Sequence, residues 1–189
     1  MFEDLVRKNR SIRRFDEKVK VPRQTLVELV DLARQSPSSA NLQALKFYLA
    51  SDPPQTDQIF SSLKFASYLT DWAGPAEGER PTAYILILGD RRIKRQFDFD
   101  AGIAAQTIKL GAAERGLGGC ILASVNRGWL SEQLDLADYF EIIVALALGK
   151  PGEKVVIEEV TPEHGIKYYR DAQGVHHVPK RSLNELIIS

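Results

Sequence analysis

Residues 99–116 read Phe-Asp-Ala-Gly-Ile-Ala-Ala-Gln-Thr-Ile-Lys-Leu-Gly-Ala-Ala-Glu-Arg-Gly. This is the longest helical segment in the chain. It carries Ala101, Gly102, Ala104, Ala105, Gly111, Ala112 and Ala113, side chains small enough to let another helix approach closely. Two partners fit such a surface: a helix of the same chain packed tightly in the core, or a second copy of the protein. The residues themselves leave both open. Just before it, Ala83 to Leu88 is a continuous apolar run closed by Gly89-Asp90, the pattern of a strand buried on both faces. Just after it, Gly116 to Gly119 ends the helix and leads into a further strand, Gly118 to Ser124.

Working outward, Phe2, Leu5 and Val6 share one face of a short helix over residues 2–9. Pro22 opens a second helix, a favoured place for proline at a first turn. Leu26, Leu29, Val30 and Ala33 give that helix one apolar stripe. It should stop before Pro37, because the residue preceding a proline is pushed out of helical geometry. Phe47 to Ala50 reads as a short strand, and Pro53 to Tyr68 as a helix with Ile59, Leu63 and Ala66 inward. Asp71 to Pro81, with Gly74, Pro75, Gly78 and Pro81, reads as a loop. Leu130 to Leu136 is expected to be helical, and Phe140 to Leu148 another buried strand. Tyr168 to Val178 resembles a hairpin turning at Ala172-Gln173-Gly174. Ser182 to Ile187 is expected to form a last helical turn. Mixed strands and helices with a late hairpin point to an α+β fold, a mixed α/β sandwich. At 189 residues, one domain spanning 1–189 is the natural reading.

Composition narrows the function. Twenty-five basic and 25 acidic side chains give a formal net charge of +0, without the basic excess usual in nucleic-acid binders. Cys120 is the one cysteine, so an intramolecular disulfide and a cysteine zinc cluster are ruled out. The longest apolar stretch, Ile142 to Leu148, is far below the roughly 20 residues that span a bilayer. The N-terminus has no apolar run of the signal-peptide kind. A cytoplasmic protein is expected, with no membrane or nucleic-acid partner.

Familiar catalytic patterns are missing. The glycine cluster Gly116-Leu117-Gly118-Gly119 has the wrong spacing for a dinucleotide fingerprint and runs from helix to strand. The histidines are His164, His176 and His177, and adjacent residues on a strand point to opposite faces, so 176–177 is a poor chelate. No metal site is expected.

Four segments fit one ligand. In Arg10-Ser11-Ile12-Arg13-Arg14-Phe15, two guanidinium groups and a hydroxyl within four residues can grip one phosphate, because the arginine fork matches phosphate oxygens. An ordinary helix end with cations at its C-terminus explains the same residues. Pro37-Ser38-Ser39-Ala40-Asn41-Leu42-Gln43 is a polar loop whose donors and acceptors suit a ring with polar edge atoms, although such residues also dominate plain turns. Gly118-Gly119-Cys120-Ile121-Leu122-Ala123-Ser124 offers a backbone that a flat ligand can approach. Pro179-Lys180-Arg181-Ser182 adds two cations able to reach the same phosphate.

Taken in order, these motifs resemble the nitroreductase-like flavoprotein family. The family's R-S-x-R motif corresponds to Arg10-Ser11-Ile12-Arg13, and its serine- and asparagine-rich loop to residues 37–43. A D-x-G-x-x-x-Q helix corresponds to Asp100–Gln106, a G-L-G turn to Gly116-Leu117-Gly118, and a late basic pair to Lys180-Arg181. The resemblance implies a central, mostly antiparallel sheet flanked by helices, in an intertwined homodimer with flavin mononucleotide (FMN) between the subunits. It implies that Arg10, Ser11, Arg13, Lys180 and Arg181 hold the phosphate. Ser39, Asn41 and Gln43 would approach the flavin, from the partner chain, and Ala123 and Ser124 would line it or meet it through backbone N–H groups.

The chain departs from the family in carrying Ala44-Leu45 where many members have Pro-Trp, and in offering only the region from Tyr68 to Pro81 as a cover for the flavin. Tyr68 and Trp72 could stack on an aromatic substrate, with core packing the favoured role. The implied activity is a ping-pong relay of hydride from NADH or NADPH, through FMN, to a nitroaromatic, quinone or similar electron-poor acceptor. The flavin would carry the chemistry, so no side chain is assigned as catalytic. The same motifs also serve a dehalogenase-type flavoenzyme or a non-catalytic FMN-binding or sensing protein.

Overall fold

The computed structural model describes residues 1–188. Its organising strand is β5 (Phe140–Pro151), twelve residues long. On one edge β5 pairs antiparallel with β3 (Ala83–Asp90), and β3 in turn with β2 (Leu45–Ala50). On its other edge it pairs antiparallel with β4 (Gly118–Leu122) and, further along, with the two-residue β1 (Phe15–Asp16). The main sheet is therefore antiparallel throughout.

Strand alternation divides the core in two. Ile85, Ile87, Leu146 and Leu148 face one layer, built with α2 (Arg23–Arg34) and α4 (Asp98–Glu114). Tyr84, Leu86, Leu88, Ala145 and Ala147 face the other, packed with Ile59 of α3 (Gln55–Ser61) and Leu130 of α5 (Arg127–Gln133). Every residue of β3 is buried, as its unbroken apolar run requires. Each fully buried Leu or Ile here contributes on the order of 1.5–3 kcal/mol.

The small side chains of the long helix α4 serve close packing on one face of the helix and leave a second face open. Ala101, Ala104, Ala105, Ile108 and Ala112 are buried in the core, and Gly111 admits Leu29 and Leu32 of α2 so closely that an added Cβ would lie 2.6 Å from Leu32 Cδ1. Phe99, Gly102, Ile103 and Gln106, spaced at helical repeats, form a second face that is exposed, with Phe99 85% accessible. Gly116, at φ +69°, then ends the helix in the left-handed conformation that glycine adopts freely.

The remaining elements close the ends. The N-terminal helix α1 spans Phe2–Lys8. A smaller sheet holds β6 (Val155–Glu159) parallel to β8 (His176–Lys180), with β7 (Tyr169–Arg170) antiparallel on β8. The expected hairpin is thus β7–β8, turning through Asp171–Gly174 with Gly174 at φ +77°. A final turn, α6 (Leu183–Leu186), is opened by a capping box between Ser182 and Glu185.

One expected helix is shortened, and one strand was not foreseen. The helix expected over 53–68 stops at Ser61, because Leu63 bridges Val125 and the Lys64 N–H donates to the Ser124 carbonyl at 3.0 Å. That tertiary pairing captures the backbone that a longer helix would need. Strand β6 has no counterpart in the sequence reading, since its partner lies about twenty residues away in β8 and only tertiary pairing defines it.

Candidate functional site

The R-S-x-R segment is held by the edge of the main sheet. Ser11 forms a parallel bridge with Gly119 of β4, and the Ile12 N–H donates to the Gly119 carbonyl at 3.1 Å. Gly118 makes this approach possible, since a Cβ there would lie 2.6 Å from Ile12 Cγ1. Gly118 of the third segment therefore admits the arginine segment, while Gly119 lets β4 sit close against β5. From the far side the buried Glu153 carboxylate accepts the N–H groups of Arg13 at 2.5 Å and Arg14 at 3.1 Å, and pairs with Arg170 at 2.9 Å. The backbone of this segment is fixed before any ligand arrives.

Its side chains line a cavity of about 270 Å³ together with residues distant in sequence: Asn9, Arg10, Ser11, Arg13, Lys109 of α4, Tyr168, and His176, Val178 and Lys180 of β8. Four of these are cations, and no carboxylate is among them. Arg13 lies over the Tyr168 ring, 4.7 Å from its centroid, and its Nη1 is 3.3 Å from His176 Nε2. His176 is fully buried, and burial beside Arg13 lowers its pKa to about 4. The imidazole is then neutral. Arginine can only donate, so Nε2 accepts and the ring proton sits on Nδ1, which has no partner among the described residues. Arg10 Nε and Arg13 Nε are likewise buried and unpartnered. Buried donors are normally satisfied, and an acceptor-rich anion in this cavity would satisfy these.

The loop of the second segment lines a different cavity, of about 320 Å³, with apolar walls from Val30, Ala33, Phe47, Ile103 and Ala104. Pro37, Ser38 and Gln43 face it, and the Ser38 hydroxyl is buried without a partner. The loop is strained: Ala40, Asn41 and Gln43 all have φ near +50°, a region non-glycine residues rarely adopt and one that costs on the order of 1–3 kcal/mol for each such residue. Asp100, buried in the first turn of α4, holds it in place. Its Oδ1 accepts from the Ser39 N–H at 2.9 Å and the Ser39 hydroxyl at 2.6 Å, while Oδ2 pairs with Lys94 at 2.5 Å. Burial works to raise the Asp100 pKa, but Lys94 and Ser39 outweigh it and hold the carboxyl below its usual range.

The structure thus brings Arg10, Ser11, Arg13 and Lys180 to one cavity and leaves Ser39, Asn41 and Gln43 at the other end of α4. Arg181 lines neither; it is exposed and pairs with Glu185 at 3.2 Å. Ala123 and Ser124 are exposed just beyond β4, their carbonyls taken by Arg127 and by the Lys64 N–H. Trp72 packs against Phe65 beneath Arg170, and Tyr68 lies 4.9 Å from the Tyr168 ring. Lys109 and His176 were not among the sequence candidates. Lys109 did carry a signal: it falls four and eight residues after the core-facing Ala105 and Ala101, on the buried face of its helix.

A model described as the nitroreductase family matches residues 6–150. The chain belongs to the nitroreductase family. A Bacillus subtilis (strain 168) protein provisionally named an NAD(P)H nitroreductase is 24% identical over 177 residues, covering 78% of this chain and 88% of its own length. A crystal structure of a nitroreductase family protein from Clostridium difficile 630 superimposes with a TM-score of 0.71 at 21% identity, covering 100% of this chain and 97% of the other. A provisionally named nitroreductase from Exiguobacterium sibiricum, solved in complex with FMN, matches with a TM-score of 0.66 at 17% identity, covering 81% and 89%. The fold of this nitroreductase-family chain is therefore the expected mixed helix-and-sheet one. Residues 151–188, which supply β6–β8 and four of the nine residues lining the basic cavity, lie beyond the matched segment.

Proposed function

We propose that the protein is an FMN-dependent oxidoreductase that accepts hydride from NADH or NADPH and passes it to an electron-poor acceptor such as a nitroaromatic or quinone. The observation that carries this reading is the basic cavity, four cations and a neutral histidine around buried unpartnered donors with no lining carboxylate. That donor set fits the terminal phosphate of FMN. Arg10, Ser11, Arg13 and Lys180 hold the phosphate, each already directed to the cavity by the sheet edge or by β8. When bound, FMN supplies the redox chemistry, exchanging hydride with both substrates in turn. The residues of this chain bind and orient it, and none needs to move a proton.

The flavin ring would extend from the phosphate toward polar groups on the Ser39–Gln43 loop and the backbone at Ala123 and Ser124. In one protomer that loop lies away from the basic cavity, with only Gln43 of it lining a second one, and Asp100, which grips it, is nine residues before Lys109, about 13 Å along the helix. A homodimer answers this by offering the loop of a second protomer to each phosphate site. The exposed apolar face Phe99, Gly102, Ile103 and Gln106 of α4, together with exposed Leu183, Leu186 and Ile187, supplies surface for it. We place the reaction in the cytoplasm, where the buried free thiol of Cys120 stays reduced.

The test is the absorption spectrum of the purified protein before and after anaerobic addition of NADPH, with NADH in parallel. A flavin spectrum that bleaches supports the reading. A flavin that stays oxidised with both donors favours a binding or sensing protein. A colourless protein that cannot be reconstituted with FMN overturns it. Size-exclusion chromatography at the mass of one protomer would overturn the dimer.

A further inference from the structure

We infer that Lys109, which lies outside the motifs quoted above, is the most deeply buried ligand of the cofactor phosphate, held buried for that anion and not for the fold. The inference rests on the FMN reading above. Lys109 is only 6% exposed. Two other largely buried cations, away from this cavity, have their anions: Lys94 has Asp100 at 2.5 Å and Arg170 has Glu153 at 2.9 Å. Lys109 has no carboxylate within ion-pair distance among the described residues, and the cavity it lines has none.

Its charged surroundings are of its own sign. Arg10 and Arg13, from the segment after α1, and Lys180, from β8, share the cavity with it. The imidazole of His176, also from β8, is neutral, and the Cys120 thiol of β4 is buried and raised in pKa, hence also neutral. Burial, with Arg10 and Arg13, lowers the Lys109 pKa to about 8. An ammonium group in that position destabilises the free protein, because a buried charge without a partner is costly. A terminal phosphate removes the penalty, pairing with Lys109 while accepting from the orphaned Arg10 Nε, Arg13 Nε and His176 Nδ1. Lys109 is then a binding residue, and removing its charge should help the empty protein while harming the loaded one.

The experiment uses apoprotein freed of flavin, with FMN and riboflavin as probes and flavin fluorescence as the readout. In K109M, the FMN dissociation constant should rise about ten- to a hundred-fold, the range for losing a hydrogen bond between charged groups. The riboflavin constant should change less than about three-fold, and the melting temperature of the apoprotein should hold or rise. In parallel, lysine side-chain NMR of the wild-type protein should show the group that titrates near pH 8 moving to higher pH with FMN and not with riboflavin. This second measurement decides the matter even if K109M fails to fold. Unchanged FMN affinity, equal losses for FMN and riboflavin, or a lysine titration indifferent to FMN would each overturn the inference. Wild-type apoprotein that binds neither flavin would instead remove the FMN reading on which it rests.

Discussion

Replacing Asp100 by asparagine should cost about 3–5 kcal/mol, because the structure makes this carboxylate the anion for a buried lysine. The Asp100 side chain is 1% accessible and that of Lys94 15%, so solvent screens the pair little. Asparagine keeps the shape and an acceptor for Ser39 but leaves the Lys94 ammonium without its partner. For a protein of this size each kcal/mol moves the melting temperature by about 2–4 °C, so D100N should melt roughly 6–20 °C below wild type. Urea unfolding gives the free energy directly, and amide exchange at Ser39 reports whether the strained loop has come loose. Acid should mimic the variant. The Asp100 pKa is lowered in the folded protein, so its contribution is complete above the ordinary aspartate value and is lost as pH falls through the folded one. The double variant K94M/D100N, which removes the stranded ammonium while keeping the acceptor for Ser39, should recover part of the loss, since breaking a buried pair is costly mainly through the charge left behind. A D100N protein within 1 kcal/mol of wild type, or a double variant no better than the single, would refute the assignment.

Arg13 and Arg181 should behave differently despite their shared charge. R13A should raise the FMN dissociation constant about ten- to a hundred-fold, whereas R181M, removing a cation engaged by Glu185, should stay within about two-fold, both read by fluorescence titration. G119A should destabilise by about 1–3 kcal/mol in urea unfolding, because a Cβ there would meet Leu148 Cδ2 at 2.7 Å and the Ala147 carbonyl oxygen at 2.9 Å, pushing β4 off β5. His177 is held between Asp171 at 3.0 Å and Glu158 at 2.8 Å, which raise its pKa. Its stabilising contribution is therefore complete below the unfolded value near 6.5 and lost as pH rises through the folded one, so the gap in melting temperature between wild type and H177F should be larger at pH 6 than at pH 9.

Much of this was legible in the sequence where local physics decides. The stripe Leu26, Leu29 and Ala33 is buried as helical spacing requires, the run Ala83–Leu88 is buried on both faces, and His176 and His177 point to opposite sides of their strand. The convergence of Arg10, Ser11 and Arg13 on one cavity was legible because the three lie within four residues of one another. What escaped depended on long-range partners. Nothing local says that Lys64 will pair with Ser124, or that Glu153 will cap the N–H groups of Arg13 and Arg14. Arg181 looked equivalent to Lys180, yet the strand turns its neighbour inward while the Ser182–Glu185 capping box sets a carboxylate beside Arg181. Asp100 stood inside a quoted motif without a role, since its use depends on a loop sixty residues earlier in the chain.

The walls of the basic cavity come from both ends of the molecule, residues 9–13 on one side and 168–180 on the other, with Lys109 between. During synthesis the arginines of the first segment and the whole of α4 leave the ribosome long before β8 exists. A nascent chain that stops short of Tyr168 possesses most of the cations but no enclosure around them. Enclosure of the cavity is thereby a late event in the life of the polypeptide, and a chain shortened by proteolysis after Asp171 would keep its main sheet while losing the β8 wall of that cavity.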